Sequence, residues 1–95
     1  MAFQPLDGPG VYGALAVTTT AIEVKVGAST LEDREVVTVQ PIDGDVYYGY
    51  DSSVSASTGT IIKKGQFFPF EAKDTLPIYL VAASGTIDVR ITEVA

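Results

Sequence analysis

The chain has 95 residues, no cysteine, no histidine, twelve acidic and six basic side chains, a net charge of −6 and a pI near 4.2. Its length fits one domain, and a domain this small buries only about 60–65% of its unfolded surface. The composition excludes disulfide staples and thiolate or imidazole metal sites. It also excludes a Ser-His-Asp or Cys-His mechanism; with six Lys and Arg in all and only Lys63-Lys64 adjacent, the clustered basic surface that nucleic acid requires is not expected. Anionic membranes are disfavoured by the same charge, and no run approaches the ~18 apolar residues that span a bilayer. The first residues have neither a basic n-region nor an apolar h-region, so no secretory signal is expected.

Val, Ile and Thr make up 29 of the 95 residues. Branching at Cβ restricts χ1 in a helix and packs well on a pleated surface, so strands are expected. In chain order, Met1–Gly13 holds Pro5, Gly8, Pro9, Gly10 and Gly13 and reads as an extended N-terminal arm or loop, because Pro and Gly interrupt regular pairing; it is either a frayed terminus or an arm that orders on a neighbouring subunit. Its large apolar side chains, Phe3, Leu6, Val11 and Tyr12, are the candidate partner-binding residues. The domain proper is expected over 14–95. Leu15–Thr20 reads as the first strand. Ala21–Val26 alternates at period two, with Ile22, Val24 and Val26 opposite Glu23 and Lys25. Gly27–Asp33 is a loop.

Arg34–Gln40 is the next strand, closed by Pro41, which lacks a ladder donor. A tight Asp43-Gly44-Asp45 turn leads into Val46–Tyr50. Asp51–Thr60 reads as a mobile polar loop. Ile61-Ile62, a Lys64-Gly65 turn and Gln66–Phe70 follow, and Pro69 pushes that last strand to an edge. Pro77–Ala82 and Thr86–Glu93, joined by Ser84-Gly85, close the chain, the latter with Ile87, Val89 and Ile91 inward and Asp88, Arg90 and Thr92 outward. Turn signals every 8–12 residues point to an all-β sandwich or barrel; the fold expected is a sandwich of seven or eight antiparallel strands, jelly-roll-like, with Val24, Val37, Val39, Ile78, Leu80, Ile87, Val89 and Ile91 in the core.

Little in the chain carries chemistry. Asp43 with Asp45, and Glu32 with Asp33, are the carboxylate pairs that general acid–base work would use. Asp-Gly pairs form tight turns for backbone reasons, and the twelve-residue calcium loop is absent. Gly8-Pro9-Gly10 is no phosphate cradle, since Pro9 has no N–H to offer. Tyr47, Tyr48 and Tyr50 divide between two strand faces and form no single sugar-stacking platform. Arg34 and Arg90 are expected to pair with local carboxylates. No catalytic, cofactor or metal residue is assigned, and no enzyme is expected.

The order of segments over residues 22–95 resembles a domain of tailed-bacteriophage virion proteins. The parts that carry the resemblance are Arg34–Gln40, Val46-Tyr47-Tyr48-Gly49, Ser52-Ser53-Val54 through Gly59, Ile61-Ile62, Gly65, Phe67–Phe70, Ile78-Tyr79, and Ala83-Ser84-Gly85-Thr86 through Val89-Arg90 to Glu93. Pro41 stands where that pattern often has Asn. The resemblance implies a virion structural protein, first a capsid decoration (cement) protein that stabilises the head shell. It implies a homo-oligomer, with a trimer favoured, bound to the major capsid protein or another virion protein, made in the host cytoplasm and located in the virion. A neck or tail component, or a carbohydrate- or receptor-binding module of a fibre, is the alternative. No cofactor, nucleic acid or membrane is implied.

Overall fold

A computed structural model describes residues 8–95. Eight strands are present: β1 (Gly10–Val17), β2 (Ile22–Glu23), β3 (Val36–Pro41), β4 (Val46–Gly49), β5 (Thr60–Ile62), β6 (Phe68–Phe70), β7 (Tyr79–Val81) and β8 (Ile87–Val94). No helix occurs among the described residues. One sheet runs β1-β8-β3-β6, the other β2-β7-β4-β5, and every pairing is antiparallel. The pairs β1·β8, β2·β7, β3·β6 and β4·β5 nest inside one another like a long hairpin folded into two layers. That is a jelly roll, and of the sandwich and the barrel that the turn spacing allows it is the sandwich.

Alternation fills the space between the sheets. Val37, Val39, Val89 and Ile91 come from one layer and Val24, Val46, Ile62, Ile78 and Leu80 from the other, all buried. Ile87 packs against this cluster but stays partly exposed. Tyr48 of β4 reaches across to Phe68 and Phe70 of β6, with ring centroids 5.5 and 4.9 Å away. Such aromatic contacts close the core at the β5/β6 side. The expected turns at Gly65 and Gly85 adopt φ of 80° and 67°, a region open to glycine at no steric cost.

Three expectations shift. Strand β1 begins at Gly10, so Gly10–Gly13, where the Pro/Gly pattern predicts an arm, pairs with Ile91–Val94 of β8. Glycine lowers strand propensity but does not forbid pairing when a full-length partner such as β8 is available. β1 ends at Val17; Thr18 instead accepts the Ala82 N–H at 2.8 Å, and its hydroxyl accepts the Thr20 N–H, turning the chain toward the other layer. The Asp51–Thr60 segment is folded on itself. Asp51 Oδ1 accepts from the Ser53 N–H and hydroxyl, and Thr58 and Gly59 N–H groups donate to the Ser55 carbonyl at 3.2 and 2.8 Å. Val54 from this segment lies over the outer face of β4: a Cβ on Gly49 would stand 2.8 Å from Val54, and one on Gly59 would stand 2.8 Å from Val54 and 2.9 Å from Tyr47 Cβ.

Candidate functional site

Of the four predicted partner-binding residues, Phe3 and Leu6 lie outside the described residues. Val11 and Tyr12 are neighbours on β1, and the pleat sends them to opposite faces. Tyr12 is 84% exposed. Val11 turns toward the inner side and lines a cleft of ≈ 360 Å³ with Val26, Ser29, Leu31 and Glu93. The cleft lies at one end of the sandwich, between the start of β1 and the Val26–Glu32 loop.

The floor of that end is a buried ion pair. Arg34 Nη1 donates to Glu93 Oε2 at 3.0 Å, and both side chains are essentially inaccessible. Burying two charges is expensive unless each is paired and hydrogen-bonded. Here the requirement is met. Glu93 Oε1 accepts the Val26 N–H at 3.0 Å and Oε2 the Leu31 N–H at 3.1 Å. Arg34 donates from Nε to the Ala72 carbonyl at 3.1 Å and from Nη2 to the Lys73 and Leu76 carbonyls, each at 3.0 Å. The pair thereby ties two irregular segments, 26–31 and 72–76, to β8, and no buried side-chain nitrogen or oxygen among the described residues lacks a partner. Asp33, at φ 58°, donates its N–H to Asp74 Oδ2 at 3.1 Å and fastens the same two segments at the surface.

Arg34 therefore does not pair locally: its carboxylate is 59 residues away. The sequence held the signal. Glu93 continues the inward row Ile87, Val89, Ile91, and a carboxylate in that row needs a cation from the same interior. Of the two arginines, Arg90 is on the opposite face, which makes Arg34 the arginine able to meet it. Arg90 does pair locally, with Asp88 Oδ2 at 2.9 Å, and the bond to the guanidinium holds the Asp88 carboxyl below its usual value while raising Arg90. Asp51 is lowered by the Ser53 hydroxyl and N–H it accepts.

The remaining candidates are brought to no common point. Asp43 Oδ1 accepts the Asp88 N–H at 2.9 Å and Asp45 Oδ1 the Lys64 N–H at 2.7 Å, so the two carboxylates bind different backbone segments. Glu32 and Asp33 are exposed. Tyr47 is under the 51–59 segment, Tyr48 is partly buried against the core cluster, and Tyr50 and Phe67 are 54% and 60% exposed. Tyr50 stacks edge-on against Tyr48, not beside Tyr47. No group of three acidic, His or Cys side chains suited to a metal occurs among the described residues, and no helix among them is long and apolar enough to cross a membrane.

No known protein family and no curated protein matches the sequence.

Proposed function

We propose that the chain is a structural protein of a tailed-bacteriophage virion, a decoration protein that attaches to the head shell through the β1–cleft end of its jelly roll. The observation that carries this reading is where the residues behind the resemblance sit. The leading Arg34 and closing Glu93 are the two halves of the buried pair. Gly49, Val54 and Gly59 are the contacts that fasten the 51–59 segment to β4. The resemblance thus rests on residues that build the fold, which favours a shared architecture; the role follows from the resemblance and not from a catalytic site. Jelly rolls recur in viral capsid domains.

The attachment end is suited to a protein partner. It combines the apolar side chains of Val11, Val26 and Leu31, and the ion pair beneath gives it a fixed shape. Preformed concave surfaces cost less ordering entropy on binding. Mass spectrometry of purified particles raised from the genome that encodes this chain tests the proposal. The chain should co-purify with the major capsid protein at a fixed ratio; particles that form and contain none of it overturn the reading.

A further inference from the structure

We infer that the edge of β1, unpaired among the described residues, is a self-pairing surface, on which a second copy of this chain docks antiparallel about a twofold axis through Ala14. The inference rests on the assembly reading of the β1 end and on nothing specific to phage.

Hydrogen-bond parity fixes which backbone groups are free. In an antiparallel ladder, residues alternate between exchanging both bonds with one neighbour and presenting both groups to the other side. Ile42 N–H donates to the Asp88 carbonyl at 2.8 Å, in register with the β3·β8 pairs. Even-numbered residues of β8 therefore bond β3, and odd-numbered ones bond β1. By the β1·β8 register, Val11, Gly13, Leu15 and Val17 face Glu93, Ile91, Val89 and Ile87. The N–H and C=O groups of Gly10, Tyr12, Ala14 and Ala16 then point away from the sheet.

The other edges are blunted and this one is not. At β6 the same parity turns Pro69, opposite Thr38, toward the open side, where it has no N–H to offer. β2 and β5 are two and three residues long. Short strands and edge prolines are the usual defences against edge pairing. β1 is eight residues long, GVYGALAV, with no charge, no proline and a regular register throughout.

The edge is also self-complementary. Directly opposite residues must share a face, so a twofold pairing needs to place even residues opposite even ones. Centring it on Ala14 does so: Ala14 meets Ala14 of the second copy, and the exposed ring of Tyr12 lies over Ala16. On the inner face Leu15 falls opposite Gly13. No proline enters the paired stretch. Each copy carries −6, but the nearest charges on this sheet are one strand in, where Arg90 and Asp88 neutralise each other at 2.9 Å. The two Arg90 side chains would be separated by three strand spacings, about 14 Å, beyond the Debye length of about 8 Å at physiological salt. Because the remaining edges are blunted, association closes at two copies. The edge thus favours a twofold dimer over the threefold association that the resemblance implies.

Sedimentation equilibrium of the purified chain, with circular dichroism on each variant, tests this. The wild type should show a mass twice 10.0 kDa, with tighter association as salt screens the like net charges. Ala14→Pro removes an N–H that has no partner among the described residues and should give a folded monomer. Should Ala14→Pro fail to fold, Ala14→Glu decides: its carboxylate has Arg90 directly across in the same chain but meets its own copy on the axis, so a folded monomer is expected. A wild type that stays monomeric up to about 0.5 mM, which corresponds to an association free energy weaker than about −4.5 kcal/mol, or a folded variant that still dimerises, overturns the inference. A monomer that nevertheless coats particles refutes the dimer and leaves the virion role standing.

Discussion

Replacing Arg34 with Met keeps much of the aliphatic stem and removes the guanidinium. Glu93 would then be buried with two N–H donors and no cation, and the carbonyls of Ala72, Lys73 and Leu76 would each lose a donor. Breaking a buried pair by removing one partner costs about 3–5 kcal/mol. Against a total of about 5–15 kcal/mol for a domain, that is a large fraction. The corresponding drop in Tm is about 12–40 °C, taking about 4–8 °C per kcal/mol for a chain of this size. Urea unfolding followed by circular dichroism measures the first quantity and differential scanning calorimetry the second. Arg34→Lys separates charge from geometry: an ammonium has three donors and no planar fork, so it should recover part of the loss and not all. In Glu93→Gln, the Val26 and Leu31 amides should exchange with solvent faster, because their acceptor is weakened. An Arg34→Met protein whose urea midpoint is unchanged would show that the pair does not hold the two segments, and the account of this end of the sandwich would fail.

Val89→Asp should leave no cooperative unfolding transition, because an unpaired carboxylate in the core costs several kcal/mol; a folded variant by near-UV circular dichroism would contradict the inward face of β8. Gly59→Val puts side-chain atoms where Val54 and Tyr47 already are, and overpacking of this kind costs about 1–3 kcal/mol; an unchanged denaturant midpoint would show that the 51–59 segment moves aside freely. Asp51 and Asp88 should titrate below 3.8 by NMR. A folded value below the unfolded one means their stabilising contributions are present above about pH 4 and are lost as pH falls through the folded value, so stability between pH 7 and 5 should not respond to either group.

What could be read from the chain and what could not follows the range of the interactions. The core rows Val37/Val39, Ile78/Leu80 and Val89/Ile91 were legible because period-two alternation is local, and the turns at Gly65 and Gly85 because glycine marks positive φ. The edge position of Pro69 was legible because a missing N–H has one tolerable place in a sheet. Gly10–Gly13 was misread because its pairing is imposed by β8, about eighty residues later in the chain, and not by its own propensity. The 51–59 segment looks like an open polar loop since its order comes from side-chain-to-backbone bonds of Asp51 and Ser55 and from one apolar contact, Val54. The Arg34–Glu93 pair needed two facts combined, the inward row ending in a carboxylate and the single arginine free to meet it.

The most direct test of the account is reattachment of the purified chain to shells that lack it, followed by gel quantification of bound copies. The wild-type protein should bind saturably at a fixed number per shell. A folded Leu31→Asp variant, with a charge in the apolar wall of the cleft, should bind at least tenfold more weakly, about 1.4 kcal/mol. Undiminished binding by that variant, or no saturable binding by the wild type, would contradict the claim that this end of the jelly roll is the attachment surface.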